Sequence, residues 1–282
     1  MDNNELQHFI LTRFNLLLWN KDKRGKPVRT IKWLEHRFNI FEKYCLPSIK
    51  GQVCKNFEWI VLFDSSTPER FKKRIEEYKE ECPQLVPVYV EPKNGRFFAE
   101  IFRREVSKRV HARRVVTTYL DNDDAISIYL IEDLQQRTSL LEDGTFIYYS
   151  DGYQYYTDSK YVMMIHYPRN HFVSVVENGN PLSLKTIYGY GSHYYINKIN
   201  GAKIQYICNQ PMWCENIHEK NMGNDAYFLN AKMVKDEDVL IHDFSINDKI
   251  RHGIIIYIFR FLPRYAKTFI RRSKYFLFGR HW

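Results

Sequence analysis

The most chemically pointed feature of the sequence is Asp121-Asn122-Asp123-Asp124, directly after the apolar run Val115 to Leu120. Three carboxylates within four residues repel one another unless a cation or many backbone donors offset the charge. Asp121 and Asp123, at i and i+2 across a tight turn, can reach one divalent ion, Mg or Mn, that also holds a diphosphate. Such ions favour oxygen ligands and leave positions open for substrate. An Asp-rich solvated turn capping the next helix is the plainer alternative, but the preceding strand reads as buried and the cluster is dense. Two other strand-like runs end in groups suited to a phosphorylated ligand. One closes on Thr12-Arg13-Phe14-Asn15, the other on Asp64-Ser65-Ser66. Arg13 offers a guanidinium to phosphate, Phe14 a ring face to a base, and Asp64 an acceptor to a nucleobase or ribose.

These residues need a scaffold that brings strand ends together. Strands are expected at 8–13, 57–63, 86–90 and 115–120. Helices are expected at 31–48, where apolar residues recur at spacings of 3 and 4, then from Thr67-Pro68-Glu69 to Glu81, and from 97 to 113. Four strands with intervening helices imply a parallel sheet covered on both faces, whose ligands bind beyond the carboxyl ends of the strands. Beyond residue 125 a helix is expected over 129–141, a hairpin over 145–156 around Ser150-Asp151-Gly152, and short strands at 162–165, 172–176 and 204–207. The fold class is therefore α/β, Rossmann-type, with a mostly parallel sheet flanked by helices. Residues 1–248 form one domain, with a ligand-binding half to 125 and a second half from 126. Residues 249–282 form a separate tail.

The composition sharpens this division. Of 282 residues 44% are apolar, a folded composition, and the net charge is +9. Nine Lys and Arg and no acid lie from Lys249 onward, so residues 1–248 are formally neutral and a nucleic-acid surface on the body is not expected. Basic residues at 260, 264, 267, 271 and 274 form a stripe along one helical side, and aromatic residues lie on another. This basic, amphipathic tail is suited to an anionic membrane surface. The five cysteines form no CxxC pair and read as reduced thiols of a cytoplasmic protein, although Cys208, Cys214 and His218 sketch a weak zinc alternative. The N-terminus lacks a signal-peptide pattern, and no apolar run approaches the roughly 20 residues of a membrane span.

The segments HFILTRFN, WLEHRFNIFEKYCLPSI, FEWIVLFD and LDNDDA, in this order, resemble the GT-A glycosyltransferases. More closely, they resemble the rhamnosyltransferase-type family of bacterial surface-polysaccharide clusters. The resemblance covers about 8–125 and extends loosely through PMWCENIHEKN (211–221). It implies transfer of a sugar from a nucleotide-diphosphate donor to a glycan, expected to be lipid-linked, at the inner face of the cytoplasmic membrane. By resemblance, Asp121 and Asp123 belong to the metal–diphosphate site, with Asp124 holding the donor sugar. Thr12, Arg13, Asn15, Asp64 and Asn122 fall on the nucleotide side. Where the family segment carries Arg this chain has Tyr119. Inverting enzymes of this fold use a carboxylate to deprotonate the acceptor. Glu215 is the first candidate, with Asp151 and Asp225 behind it. His218 is the candidate late metal or diphosphate ligand, and His193 a weaker one. Two rivals remain: a haloacid-dehalogenase-type phosphatase, whose motif wants Thr or Val where Ala125 stands, and a non-catalytic sugar-binding subunit. No G-x-G-x-x-G turn or P-loop is present.

Overall fold

The computed structural model describes residues 5–19, 27–138, 140–218 and 231–251, together with Lys21, Gly25, Gly253 and single positions between Ile258 and Ser273. In chain order the first part contains β1 (Leu6–Arg13), α1 (Ile31–Ile40), α2 (Leu46–Lys50), β2 (Glu58–Asp64), α3 (Glu69–Glu81), β3 (Leu85–Val90), α4 (Phe98–Ser107) and β4 (Arg114–Tyr119). The second contains β5 (Ala125–Ile126), α5 (Leu130–Thr138), β6 (Thr145–Tyr149), β7 (Asp151–Tyr156), β8 (Tyr161–His166), β9 (Val173–Asn178), α6 (Thr186–Gly189), β10 (Lys203–Ile207), β11 (Trp213–Ile217), β12 (Lys232–Met233) and α7 (Val239–Phe244). A widened π-turn, Phe41–Cys45, joins α1 to α2.

The central sheet has the order β10-β6-β9-β4-β1-β2-β3, and β9 runs against both of its neighbours. The four strands expected in the first half pair in parallel, as their apolar sequences require. Alternate residues face opposite layers. On β2, Trp59, Val61 and Phe63 join α1, α3 and α5 in one core, whereas Ile60 and Leu62 join α4 and α6 in the other. α3 buries Phe71, Ile75 and Tyr78 at helical spacing, and Thr30 caps α1 by accepting from the Trp33 amide (3.2 Å). The mixed α/β architecture with a mostly parallel, helix-flanked sheet is thus as expected.

Two local expectations need correction. The segment 145–156 is not a hairpin. β6 belongs to the central sheet and β7 to a second sheet ordered β12-β8-β7-β11-β5. The chain changes sheet at Ser150, which is fully buried, donates its amide to the Ile207 carbonyl (2.7 Å) and accepts from the Tyr167 amide (2.6 Å). These bonds take the place of a hairpin turn, and β7 pairs instead with β8. Glu215 stands on a strand, β11. The helix expected over 97–113 is also shorter, ending as α4 at Ser107.

β11 matters because of its partners. It pairs antiparallel with β5, immediately after the acidic turn, and parallel with β7. Trp213 anchors it: its indole donates to the Tyr149 carbonyl (2.8 Å) and stacks on Phe172, with ring centroids 5.1 Å apart. The same indole lies over Gly152, where a Cβ would meet ring atoms at 2.1 Å, so only glycine permits this approach.

The body continues past Asp248. That carboxylate receives Lys160 (2.7 Å), Lys43 (3.0 Å) and the Tyr155 hydroxyl (2.7 Å), Ile250 is buried, and the Arg251 amide donates to the Lys160 carbonyl (2.5 Å). The expected amphipathic tail otherwise lies outside the described residues. Among the described residues no helix is long and apolar enough to cross a membrane.

Candidate functional site

Leu11 of β1 pairs with Tyr119 of β4, which brings Arg13 and Asp121 level at the carboxyl edge of the sheet. The Asn122 amide locks this junction by donating to the carbonyls of Arg13 (2.8 Å) and Phe14 (2.7 Å). The acidic segment then turns, with the Asp124 amide donating to the Asp121 carbonyl (3.3 Å). A turn of this kind brings residues i and i+3 together and sends i+2 elsewhere. The structure accordingly divides the three carboxylates.

Asp121 accepts from the Tyr119 hydroxyl (2.9 and 3.0 Å), and Arg13 Nη2 bonds the same hydroxyl (2.6 Å) and approaches Asp121 Oδ1 (3.5 Å). Burial, reinforced by the charge of Asp121, pushes the Tyr119 phenol well above its ordinary pKa, so it remains a donor. The Arg13 guanidinium lies among the rings of Phe98, Tyr188 and Tyr119, 4.8–5.6 Å from their centroids.

Asp123 is taken inward. Its Oδ2 meets Arg37 Nη1 (3.0 Å) and His218 Nε2 (3.1 Å), while the other Arg37 amino group donates to Asn122 Oδ1. Burial raises the Asp123 carboxyl, but Arg37 and His218 outweigh it and hold the group well below the usual carboxylate range.

Asp124 is bonded by the Asn216 amide on Oδ1 (2.9 Å) and by His171 Nε2 on Oδ2 (2.8 Å). Burial opposes charge on His171, yet the bond to Asp124, with Glu215 and Asp121 nearby, holds its pKa up at about 9. Burial pushes the Asp124 carboxyl upward against that same bond. Asp121, Asp124 and His171 offer ligand atoms that all lie within 4.8 Å of one another. Two carboxylates and an imidazole are a donor set that could hold a divalent cation. Asp121 and Asp124 are the carboxylates brought together, rather than the expected Asp121 and Asp123.

Glu215 lies beside this cluster on β11, buried, with Oε2 accepting from Gln154 Nε2 (2.5 Å). Burial pushes its pKa up, the charges of Asp123 and Asp121 adding to the shift, while His171 and Gln154 oppose it. Asp151 stands apart. It bonds His166 Nδ1 (2.9 Å) and the Asn209 amide (2.5 Å), and by strand register it is roughly 10 Å from Glu215 along β7. Asp225 lies outside the described residues.

The remaining sequence candidates sit deeper. Thr12 is buried and accepts from the Trp59 indole (2.8 Å). Asn15 is buried between Thr67 (2.9 Å) and the Asp64 amide (3.0 Å). Asp64 holds Ser66, and Arg29 Nη2 reaches its other oxygen at 2.7 Å. Phe14, read as a face for a base, is instead core, packed on Phe38, Phe41 and Phe63. Cys214 is buried in β11 and Cys208 is exposed, so they do not converge with His218, whose partner is Asp123. Two open grooves, of about 740 and 570 Å³, flank Tyr89 by β3 and do not touch the acidic turn. His171 and Arg37 were not among the sequence candidates. Arg37 falls within the segment WLEHRFNIFEKYCLPSI without standing out there, His171 lies in no motif, and tertiary packing brings both to the turn.

Arg37 offsets a buried charge, with side-chain exposures of 14% for Arg37 and 12% for Asp123. Removing one partner of such a pair costs about 3–5 kcal/mol. Arg37→Ala is expected to lower stability by that order in urea unfolding. Adding Asp123→Asn should recover much of the loss, because the uncompensated charge disappears. A cost below about 1 kcal/mol, or no recovery, would show that Arg37 does not neutralise the turn.

No curated protein matches the chain significantly. Among solved structures, it is similar to S. aureus TarS 1–349 in complex with UDP-GlcNAc, with 13% identity, a TM-score of 0.44, and coverage of 98% of this chain and 76% of that one. It is also similar to the crystal structure of S. aureus TarS, with 10% identity and a TM-score of 0.39. There 76% of this chain is covered, and the chain spans only 37% of the length of that protein. The model of the family described as "Putative rhamnosyl transferase" matches residues 7–228. The chain belongs to that family of glycosyltransferases.

Proposed function

We propose that this glycosyltransferase moves a sugar from a nucleoside-diphosphate donor to a hydroxyl of a glycan, with Asp121, Asp124 and His171 holding a divalent metal and Glu215 serving as base. One observation carries the reading. The pairing of β11 with β5 sets a buried carboxylate next to a three-ligand cluster at the carboxyl edge of the parallel strands. When bound, the metal supplies positive charge to the departing diphosphate. Arg13 adds a fixed cation at the same edge. Glu215 accepts the acceptor's hydroxyl proton as that oxygen bonds to the anomeric carbon and the bond to the diphosphate breaks. Its raised pKa makes it a better proton acceptor than an exposed glutamate. The family description makes a deoxyhexose such as rhamnose the first donor to test.

Nucleotide sugars should raise the unfolding temperature only when Mn²⁺ or Mg²⁺ is present. A ligand at 100-fold excess over its Kd adds about 2.7 kcal/mol. Asp121→Ala and His171→Ala are expected to abolish this metal-dependent gain, whereas Asp123→Asn should retain it. Loss in Asp123→Asn with retention in His171→Ala would return the site to the i, i+2 pair of Asp121 and Asp123.

Glu215→Gln keeps the shape but cannot take the proton. Its kcat should fall on the order of 10²-fold or more, with donor affinity little changed. Unchanged turnover would remove Glu215 as base and favour a retaining mechanism.

We further propose that the basic tail holds the enzyme peripherally on the anionic inner face of the cytoplasmic membrane, where a lipid-linked acceptor would be met. Each Lys or Arg near such a surface contributes roughly 1 kcal/mol, a term weakened by salt. Vesicles containing anionic lipid should bind the full chain at low salt and release a chain ending after Arg251. Equal behaviour of the two chains would sink the idea.

A further inference from the structure

Beside the acidic cluster the surface carries three exposed tyrosines. Tyr194 and Tyr195 lie on the 3₁₀ turn His193–Lys198, with 57% and 58% exposure, and Tyr206 on β10 has 43%. They are not scattered. The Tyr206 ring stacks on buried Tyr148 (5.7 Å between centroids, 26° between planes), and the Tyr148 hydroxyl donates to the His193 carbonyl (3.4 Å). The His193 ring contacts Tyr194 (3.9 Å between centroids) and lies 5.9 Å from His171 and 6.5 Å from Tyr119. Arg169 donates to the Asn197 amide oxygen (3.2 Å), which ties this turn to the loop that bears His171.

A continuous aromatic path therefore leads from the cluster to the solvent. Along the sheet edge it crosses from β4 past the start of β9 and over β6 to β10. That is three strand intervals, or about 14 Å. Large exposed aromatics gathered in one patch mark a binding surface, and clustered tyrosines are favoured at such places because each joins a broad apolar face to a polar tip. A pyranose ring has the complementary chemistry, with an apolar C–H face bordered by hydroxyls. The donor side, at the ends of β1 and β2, lies in the other direction along the edge from β4.

We infer that Tyr194 and Tyr206 form a saccharide subsite that seats sugar rings of the acceptor on the β10 side of the acidic cluster. The inference rests on the glycosyl-transfer reading for its occupant and deepens it, since it makes the acceptor a glycan held through several rings rather than by its terminal hydroxyl alone.

Saturation-transfer difference NMR on the full chain, with a trirhamnoside and maltotriose as probes, tests this without turnover. Ring protons of at least one probe should receive saturation. Tyr194→Ala and Tyr206→Ala should each weaken its binding about tenfold, and Tyr→Phe at these positions should largely restore it. Absence of transfer to both probes, or equal binding by the alanine variants, overturns the subsite. The donor measurement, metal-dependent stabilisation by nucleotide sugar, should be unchanged in both variants. Loss of that gain in the wild-type chain would count against the glycosyl-transfer reading and leave the saccharide result standing. If Tyr206→Ala loses its fold through Tyr148, Tyr194→Ala on the exposed turn decides the matter.

Discussion

Four carboxylates, Asp121, Asp123, Asp124 and Glu215, are gathered at one sheet edge, and the repulsion among them constrains everything nearby. In a medium less polarisable than water like charges at contact cost several kcal/mol, so such a cluster persists only if opposite charge is built in. The fold supplies a separate partner to each aspartate. Arg13 of β1, through Tyr119, serves Asp121; Arg37 of α1 and His218 serve Asp123; His171, just before β9, serves Asp124. These partners come from four separate stretches of chain, so the acidic turn acts as the point at which the two halves of the sequence are tied together. Glu215 has the neutral amide of Gln154 instead, and burial pushes its pKa up, as it does that of Asp124.

The two sheets explain how that gathering is made rigid. The central sheet fixes Arg13 and Asp121 by strand register, and the second sheet fixes Glu215 and Asn216 by pairing β11 with β5. Asn216 then donates from its amide side chain to the Asp123 carbonyl (2.6 Å) and from its backbone to Asp124. The crossing at Ser150 carries the chain from one sheet to the other, and the Trp213 indole of β11 ties them by donating to the Tyr149 carbonyl of β6. Sites on strands are positioned more closely than sites on loops, which is what a reaction between two substrates requires.

Much of this was legible in the sequence and some was not, for identifiable reasons. The parallel half could be read because both-face burial writes continuous apolar strands, and the acidic turn could be read because its charge density is abnormal. A backbone detail sets Asp124, rather than Asp123, beside Asp121. An i, i+2 pair shares a side only in extended chain. Here Asn122 is spent on two β1 carbonyls, and the turn brings i and i+3 together instead. The nucleotide candidates Thr12 and Asn15 were placed correctly at a strand end but proved to be internal hydrogen-bond partners. Nothing local distinguishes a polar group that faces a ligand from one that satisfies Trp59 or Thr67. The hairpin misreading has the same origin, since Ser-Asp-Gly has turn chemistry whether the chain reverses or changes sheet. Arg37 and His171 carried no chemical signal of their own, because Arg37 sits in an ordinary amphipathic helix and His171 in a loop, and the role of each appears only in packing.

Tyr119 shows how a departure from a family pattern can be absorbed. The resembling segment carries Arg at this position, two residues before the first aspartate, where a guanidinium could support the cluster directly. In this chain the guanidinium comes from the neighbouring strand. Arg13 bonds the Tyr119 hydroxyl, which in turn donates to both oxygens of Asp121. The phenol stays protonated because burial and Asp121 both oppose its ionisation, so it donates to the carboxylate while accepting from Arg13. Charge and hydrogen bond, which one Arg would supply together, are thus divided between two strands. The division also holds Arg13 among Phe98, Tyr119 and Tyr188, where the ring faces favour the cation and limit its movement. A guanidinium restored at 119 would therefore face a second one across the register that aligns Leu11 with Tyr119, and like charges side by side on adjacent strands are destabilising. The tyrosine is the residue that permits Arg13 to occupy this edge.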